Sequence, residues 1–165
     1  MKKLVIAAAV VALSSGTAFA ASGNTSTVAG SATASVVAPI VLTHTPAAKL
    51  GFGSFTVGTG GTVVVTSAGA GSATGDVGLV PGSTYSADAF TVAGDAGRSF
   101  SIATGTGSVT NGTSTMTFTT APSASTGTLS GTGTGSFSVG GTLTAAGSET
   151  AGSYTGTYNA TVTYN

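Results

Sequence analysis

The last stretch of the chain alternates strictly between two kinds of residue, and this alternation constrains the fold more than any other feature. From Tyr154 onward the even positions carry tyrosine, glycine, alanine or valine, and the odd positions carry threonine or asparagine. Successive side chains of a β-strand point to opposite faces of a sheet, so this pattern predicts a strand with one buried face and one hydrated face. The predicted inward face comprises Tyr154, Gly156, Tyr158, Ala160, Val162 and Tyr164.

The composition predicts that the rest of the chain is also built of strands. Threonine supplies 32 residues, and its β-branched side chain favours strands. The 27 glycines fit the turns and bulges between strands, because glycine adopts positive φ at little cost. Apolar segments recur at a spacing of roughly 8 to 12 residues, and no helix is expected after residue 20. We therefore predict an all-β, antiparallel β-sandwich of about seven to nine strands.

Four local patterns refine this prediction. The apolar positions of residues 50–57 change register at Gly53-Ser54, which indicates a bulge. Residues 67–75, rich in glycine, alanine and serine, are predicted to form a loop. The turn at residues 94–97 has the length of a hairpin connection. A second bulge is predicted at Gly140-Gly141.

A second alternating segment runs from Val28 to Ile40 and predicts another one-faced strand. Its side chains are very small, and Pro39 suits a sheet edge or a strand end because proline lacks a backbone donor. The apolar face of its first part consists of Val28, Gly30, Ala32, Ala34 and Val36.

The N-terminus has the pattern of a secretory signal peptide at residues 1–20. Lys2 and Lys3 precede an apolar run, and Ala18-Phe19-Ala20 fits the cleavage site. The run is too short to span a membrane, and no later segment is long and apolar enough to do so. The sequence contains no cysteine, which excludes disulfides and a lipid-anchored lipoprotein.

Charge is sparse beyond residue 20. Lys49 and Arg98 are the basic residues, against three aspartates and Glu149, which gives a net charge of −2. This distribution provides no basic patch for nucleic acid or for an anionic membrane surface. A nucleic-acid partner is therefore not expected.

The residues that commonly carry catalysis or metal binding are few and scattered. His44 is the single histidine, and in a threonine-rich segment it is expected to be solvated or to cap a turn. Asp76, Asp88 and Asp95 are expected in or near turns; they could converge on a weak calcium site, but they lack the loop pattern typical of hard-cation sites. No nucleophile elbow is expected without a helix. We predict no catalytic residue, no metal ligand, no cofactor and no enzymatic activity.

The chain resembles the subunits of bacterial chaperone–usher pili. The shared features are the signal peptide, the Ser/Thr/Gly-rich β-sandwich, the alternating N-terminal segment, Tyr164 as penultimate residue and Gly152 as fourteenth from the end. It also resembles a bacterial secreted family catalogued as domain of unknown function 4402. The matching segments are residues 32–40, 50–53, 90–94, 139–143 and 152–158, with Val162 and Tyr164.

This resemblance implies an immunoglobulin-like, pilin-like sandwich that lacks one strand. A periplasmic chaperone, acting with an outer-membrane usher, would lend a strand to the open groove, and the N-terminal extension of an identical or related subunit would replace it. It further implies a fimbrial subunit on the cell surface with a role in adhesion or biofilm. Residues 21–35 would be the extension, with the donor face described above, and residues 36–165 the domain, with the C-terminal strand bordering the groove.

A second interpretation stays open at this point. Residues 28–40 can instead be the first strand of a complete, monomeric secreted sandwich that binds a glycan or a component of the cell envelope. Against this interpretation, alternating strands at both ends would leave unpaired edges, which monomeric proteins normally protect with charge or proline.

Overall fold

The computed structural model describes residues 23–165, and the predicted signal peptide lies outside the described residues. The chain divides into two units between Ser35 and Val36. Residues 23–39 are exposed and residues 23–40 form no strand, so the strand predicted over residues 28–40 is not formed within this chain. Its alanine, glycine and serine side chains bury too little apolar area to offset the entropy of ordering the backbone.

The second unit is an all-β structure of antiparallel strands, which confirms the predicted fold class. No helix occurs in residues 23–165, and this part of the chain accordingly holds no helix that could cross a membrane. The strands are β1 Val41–His44, β2 Phe55–Thr56, β3 Gly61–Val65, β4 Gly71–Gly75, β5 Gly78–Leu79, β6 Asp88–Ala93, β7 Ser99–Thr104, β8 Gly107–Thr110, β9 Thr115–Pro122, β10 Thr126–Thr128, β11 Thr134–Ala145, β12 Thr155–Thr157 and β13 Ala160–Tyr164. There are more strands than predicted because several are only two or three residues long.

The strands form three sheets. The main sheet has the order β1-β6-β11-β9-β8-β12, and β3 and β4 are added to it through β11. A three-stranded sheet has the order β10-β7-β13, and β2 pairs with β5. The long strand β11 joins the main sheet together, because its first half pairs with β6 and its second half pairs with both β9 and β3.

The bulge predicted at Gly140-Gly141 is wrong. The pairing of β11 with β9 keeps one register across both glycines, and Phe137, Val139 and Leu143 are buried on one face. The glycines are required by close approach: a Cβ at Gly140 would collide with the carbonyl oxygen of Val65, and one at Gly141 would lie 2.6 Å from that of Thr119. The side chains are absent at the point where β11 changes partner from β6 to β3.

Two other local predictions are also wrong. Residues 94–97 do not close a hairpin, because β6 lies in the main sheet and β7 in the three-stranded sheet. The chain crosses between sheets there so that the apolar faces of both strands can bury against each other. The predicted loop 67–75 contains β4, which pairs along its length with β3. In contrast, the register change near Gly53 is confirmed, since Gly53 has φ 68° and the apolar residues on both sides of it are partly or fully buried. The bulge expected there is wrong, because residues 52–54 belong to no strand.

The core consists of two clusters. One lies under β3, β9 and the end of β11, and its buried members are Phe52, Val63, Val65, Val77, Met116, Phe118, Leu143 and Ala145. The other lies between the main sheet and the three-stranded sheet, and its buried members are Val92, Phe100, Ile102, Leu129, Phe137 and Val139. Tyr158 packs against both clusters.

The C-terminal segment has the predicted alternation but not the predicted continuity. Every odd residue from Thr155 to Asn165 is exposed, and the even residues are partly buried except for the exposed Gly156. The segment is nevertheless two strands in two sheets, because β12 pairs with β8 while β13 pairs with β7. The change of sheet occurs at Tyr158 and Asn159, where the amide of Gly105 donates to the carbonyl of Asn159 at 2.9 Å.

Candidate functional site: an open groove between two walls

A groove of about 1230 Å³ opens in the domain between residues 48–58, called here the first wall, and residues 149–158, called here the second wall. Its floor reaches the first core cluster through Val109, Met116, Phe118 and Leu143. His44, Asp88 and Phe90 also line it. The groove thus gives a mainly apolar path between two segments of chain that are far apart in sequence.

The first wall is fixed to the domain at two points. The amides and carbonyls of Gly51 and Ser86 exchange two hydrogen bonds, of 2.9 and 3.1 Å, and Phe55 pairs with Leu79 of β5. Between these points, residues 52–54 belong to no strand, although the ring of Phe52 packs 5.7 Å from that of Phe118. Sequence reasoning identified this segment as a strand but did not assign it to a site.

The second wall is shaped by polar side chains at its start. The Glu149 carboxylate accepts hydrogen bonds from the amides of Ala146 (2.6 Å) and Gly147 (2.9 Å), and the bond from Ala146 is the main cause that lowers the pKa of Glu149. The Tyr154 hydroxyl donates to the carbonyl of Thr150 at 2.7 Å. Residues 153 and 154 belong to no strand, so both walls include backbone outside the sheets.

A polar cluster lies where β1, β6 and the C-terminal segment meet. Asp88 Oδ1 is 2.6 Å from His44 Nε2 and accepts a bond of 2.9 Å from the amide of Ala89, while Oδ2 accepts the hydroxyl of Tyr158 at 2.8 Å. The Asp88 side chain is 6% exposed and that of His44 is 49% exposed. Burial, and secondarily the bond to Asp88, raises the pKa of Tyr158, so the hydroxyl stays protonated and acts as a donor.

Sequence reasoning missed this cluster. Asp88 was expected in or near a turn, but it is the first residue of β6 and is buried. His44 was expected to be solvated or to cap a turn; it is exposed, but the expectation missed its contact with Asp88. The sequence did contain a signal for this burial. Asp88, Phe90 and Val92 are alternate residues of one strand, so Asp88 shares the inward face of the two apolar residues.

The residues predicted to border a groove fall into two groups. Gly152, Tyr154, Gly156 and Tyr158 line the cavity. Ala160, Val162 and Tyr164 instead pack against the second core cluster. The Tyr164 hydroxyl accepts from the amide of Asp95 at 2.7 Å and donates to the carbonyl of Ala38 at 3.0 Å, which ties the end of β13 to the segment that precedes β1.

Comparison with protein families identifies the domain. Residues 42–164 match the family described as domain of unknown function DUF4402. The chain belongs to this family. The DUF4402 match includes every strand after β1 and both walls of the groove. No curated protein and no solved structure matches the chain.

The DUF4402 match begins later than the resemblance suggested. Residues 32–40 were expected to carry part of the family pattern, but they precede the matched range. The predicted donor residues therefore all lie outside it. These five residues, Val28, Gly30, Ala32, Ala34 and Val36, are exposed and lie in no strand, with exposed fractions of 87% for Val28 and 97% for Val36.

The acidic residues of the DUF4402 domain do not converge. Asp76 accepts the amide of Thr59 at 2.9 Å, and Asp95 pairs with Arg98 at 2.8 Å. Within residues 23–165 there is no group of three or more His, Cys, Asp or Glu side chains placed to hold a metal ion. The calcium site considered from the spacing of the aspartates is not formed by these side chains.

Proposed function

We propose that the protein is a structural subunit of a cell-surface fimbria and that it polymerises by β-strand donation. The supporting observation is the groove of about 1230 Å³, whose floor reaches core residues and whose walls both contain backbone outside the sheets. An extended segment laid in such a groove can complete the sheet edges and cover apolar side chains at once. The N-terminal extension of a second copy, residues 21–35, is the proposed segment, with Val36 at its end.

The chemistry of the extension suits this role. Val28 and Val36 are almost fully exposed, and burying each would contribute roughly 1.5 to 3 kcal/mol. Gly30, Ala32 and Ala34 between them contribute less but allow the backbone to come close to both walls. Each new backbone hydrogen bond adds on the order of 0.5 to 1.5 kcal/mol net. In this proposal, backbone pairing provides much of the affinity and the two valines set the register.

The partners and location belong to the same proposal. The subunit is exported through its signal peptide, held in the periplasm by a chaperone that lends a strand, and assembled at an outer-membrane usher into a homopolymer or a polymer of related subunits. The fibre then serves adhesion or biofilm formation. The weak charge of residues 21–165 suits close packing of identical subunits, because like-charge repulsion between copies is small.

The test compares two altered chains in the organism that makes the protein. Deletion of residues 21–35 is expected to abolish fibres seen by negative-stain microscopy, and the same segment appended after Asn165 through a short linker is expected to give a stable monomer. The control carries the appended segment with Val28→Thr, which keeps the backbone but removes the apolar anchor of that segment. This variant is expected to be less stable than the monomer that keeps Val28. Fibres that persist without residues 21–35 would reject the donor assignment.

One observation favours the alternative function, a monomeric secreted module that binds a glycan or a component of the cell envelope. Every buried side-chain nitrogen and oxygen in the described part of the chain has a hydrogen-bond partner, so no polar side chain of the core awaits a second molecule. If this alternative holds, the secreted protein without a chaperone will be monomeric in sedimentation and will unfold cooperatively by calorimetry. Aggregation in that experiment would count against the module.

A further inference from the structure

Asp88 contacts both sides of the groove. Through Oδ1 it pairs with His44, the last residue of β1, from which the chain continues into the first wall. Through Oδ2 it accepts the hydroxyl of Tyr158, the last residue of the second wall. All three side chains line the groove. One buried carboxylate on β6 therefore joins two segments that lie on opposite sides of the cavity and are more than a hundred residues apart in sequence.

Backbone pairing of β1 with β6 also holds His44, and Tyr158 also packs against both core clusters. In the described chain neither Lys49 nor Arg98 pairs with Asp88, whose side-chain partners are the His44 ring and the Tyr158 hydroxyl, while Arg98 pairs with Asp95. A buried carboxylate is costly unless its hydrogen bonds are complete, so its position depends on the three donors around it. The rings of His44 and Tyr158 both meet Phe90, at 5.1 and 6.3 Å between centroids, which keeps them on either side of the same residue.

We propose that Asp88 is a latch that sets the width of the groove by holding His44 and Tyr158 together, and that loss of either bond loosens the opposite wall as well as its own. Asp88 is a positioning residue in this proposal: it does not bind the occupant, but it fixes the walls that do. The inference rests on the proposed function only for the nature of the occupant. The coupling between the walls is a property of the domain itself.

The experiment uses the full secreted chain and two near-isosteric variants. His44→Phe keeps a ring against Phe90 but removes the nitrogen that meets Asp88, and Tyr158→Phe removes only the hydroxyl. Thr43→Ala on an exposed position of β1 and Tyr154→Phe on the second wall are the matched controls; the Tyr154 hydroxyl bonds within its own wall, to Thr150. Amide hydrogen exchange is measured over residues 50–57 and 150–158 in all variants.

We expect each substitution to speed amide exchange in the opposite wall of the groove. His44→Phe is expected to speed exchange in residues 150–158 about tenfold, and Tyr158→Phe is expected to speed exchange in residues 50–57 similarly, because each charge-assisted bond is worth about that factor. The two controls leave the opposite wall unchanged. The double variant is expected to exchange no faster than the worse single variant, because the two bonds act through one carboxylate. Effects confined to the substituted wall, or additive effects in the double variant, would overturn the latch.

A binding measurement separates this inference from the proposed function. A fluorescent peptide of residues 23–36 is titrated into the parent chain and into each variant. If the peptide binds the parent, the latch predicts about tenfold weaker binding to His44→Phe and Tyr158→Phe but not to Thr43→Ala, and unchanged affinity would overturn it. If the peptide does not bind the parent, the donor assignment fails, and the exchange data alone decide the latch.

Discussion

Asp88 is the one polar or charged residue that is buried in the described part of the chain. Burying a carboxylate beside Phe90 and Tyr158 is unfavourable unless its lone pairs are used. Here three donors use them: the Ala89 amide, the His44 ring and the Tyr158 hydroxyl. Buried polar groups with complete hydrogen bonding restrict the geometry around them more than apolar contacts do. At this scale, a single side chain defines where β1, β6 and the C-terminal segment meet.

The raised pKa of Tyr158 predicts a specific alkaline sensitivity. An unfolded tyrosine ionises near pH 10, whereas burial and Asp88 keep the folded hydroxyl protonated to higher pH. The contribution of Tyr158 to stability is therefore fully present below about pH 10 and is lost as the pH rises through the raised pKa of the folded hydroxyl. Urea unfolding from pH 8 to 11 should show a steeper loss for the parent than for Tyr158→Phe. Parallel curves for the two proteins would contradict this prediction.

The strands show how the same pattern can predict a face correctly and a connection wrongly. The alternation of residues 154–165 predicts which side chains point inward, and it holds across both β12 and β13. It does not predict that the segment changes sheet at Tyr158 and Asn159, because the change preserves the parity of the inward face. The hairpin expected at residues 94–97 fails for a related reason: turn length alone does not distinguish a hairpin from a crossing between facing sheets.

At the scale of the element, β11 predicts a marked difference between two glycines. Gly140→Ala places a methyl group against the carbonyl of Val65 in the middle of the main sheet, and we expect a loss of about 2 kcal/mol or more in the free energy of unfolding. Gly131→Ala is the matched control, because a Cβ there meets no atom within 4 Å and the residue is exposed. It should change the stability by less than about 0.5 kcal/mol. Equal effects in urea unfolding would mean that the approach of β3 to β11 is looser than described.

At the scale of the whole molecule, the described residues comprise a domain with two apolar clusters and a segment, residues 23–35, that forms no strand. The domain, residues 36–165, carries both walls of the groove. The segment before it is exposed from residue 23 to Ser35 and is rich in alanine, serine and threonine. In the proposed assembly these two parts act on different molecules: the segment of one copy fills the groove of the next.

Limited proteolysis tests this division. Elastase cuts after small residues, which occur throughout the chain, so susceptibility reports exposure and order of the backbone rather than sequence. We expect the first cuts between residues 23 and 39, followed by a resistant fragment that retains residues 41–164. Mass spectrometry of the early products identifies the sites. Early cuts within β6, β9 or β11 would contradict the division of the chain into these two parts.

The sequence by itself determined the all-β class, the inward face of the C-terminal segment and the register change at Gly53, because each depends on local periodicity and on where glycine is needed. The alternation of residues in β6 also indicated that Asp88 points inward, on the same face as Phe90 and Val92. Only the tertiary structure decided which strands pair and that residues 94–97 cross between sheets. It also decided that β4 forms and that residues 28–40 join no sheet. These outcomes depend on contacts between residues distant in sequence, whose free energies exceed the local preferences. The groove was also decided by the tertiary structure, since its walls are about a hundred residues apart in the chain and are brought together by Asp88 and by the core beneath.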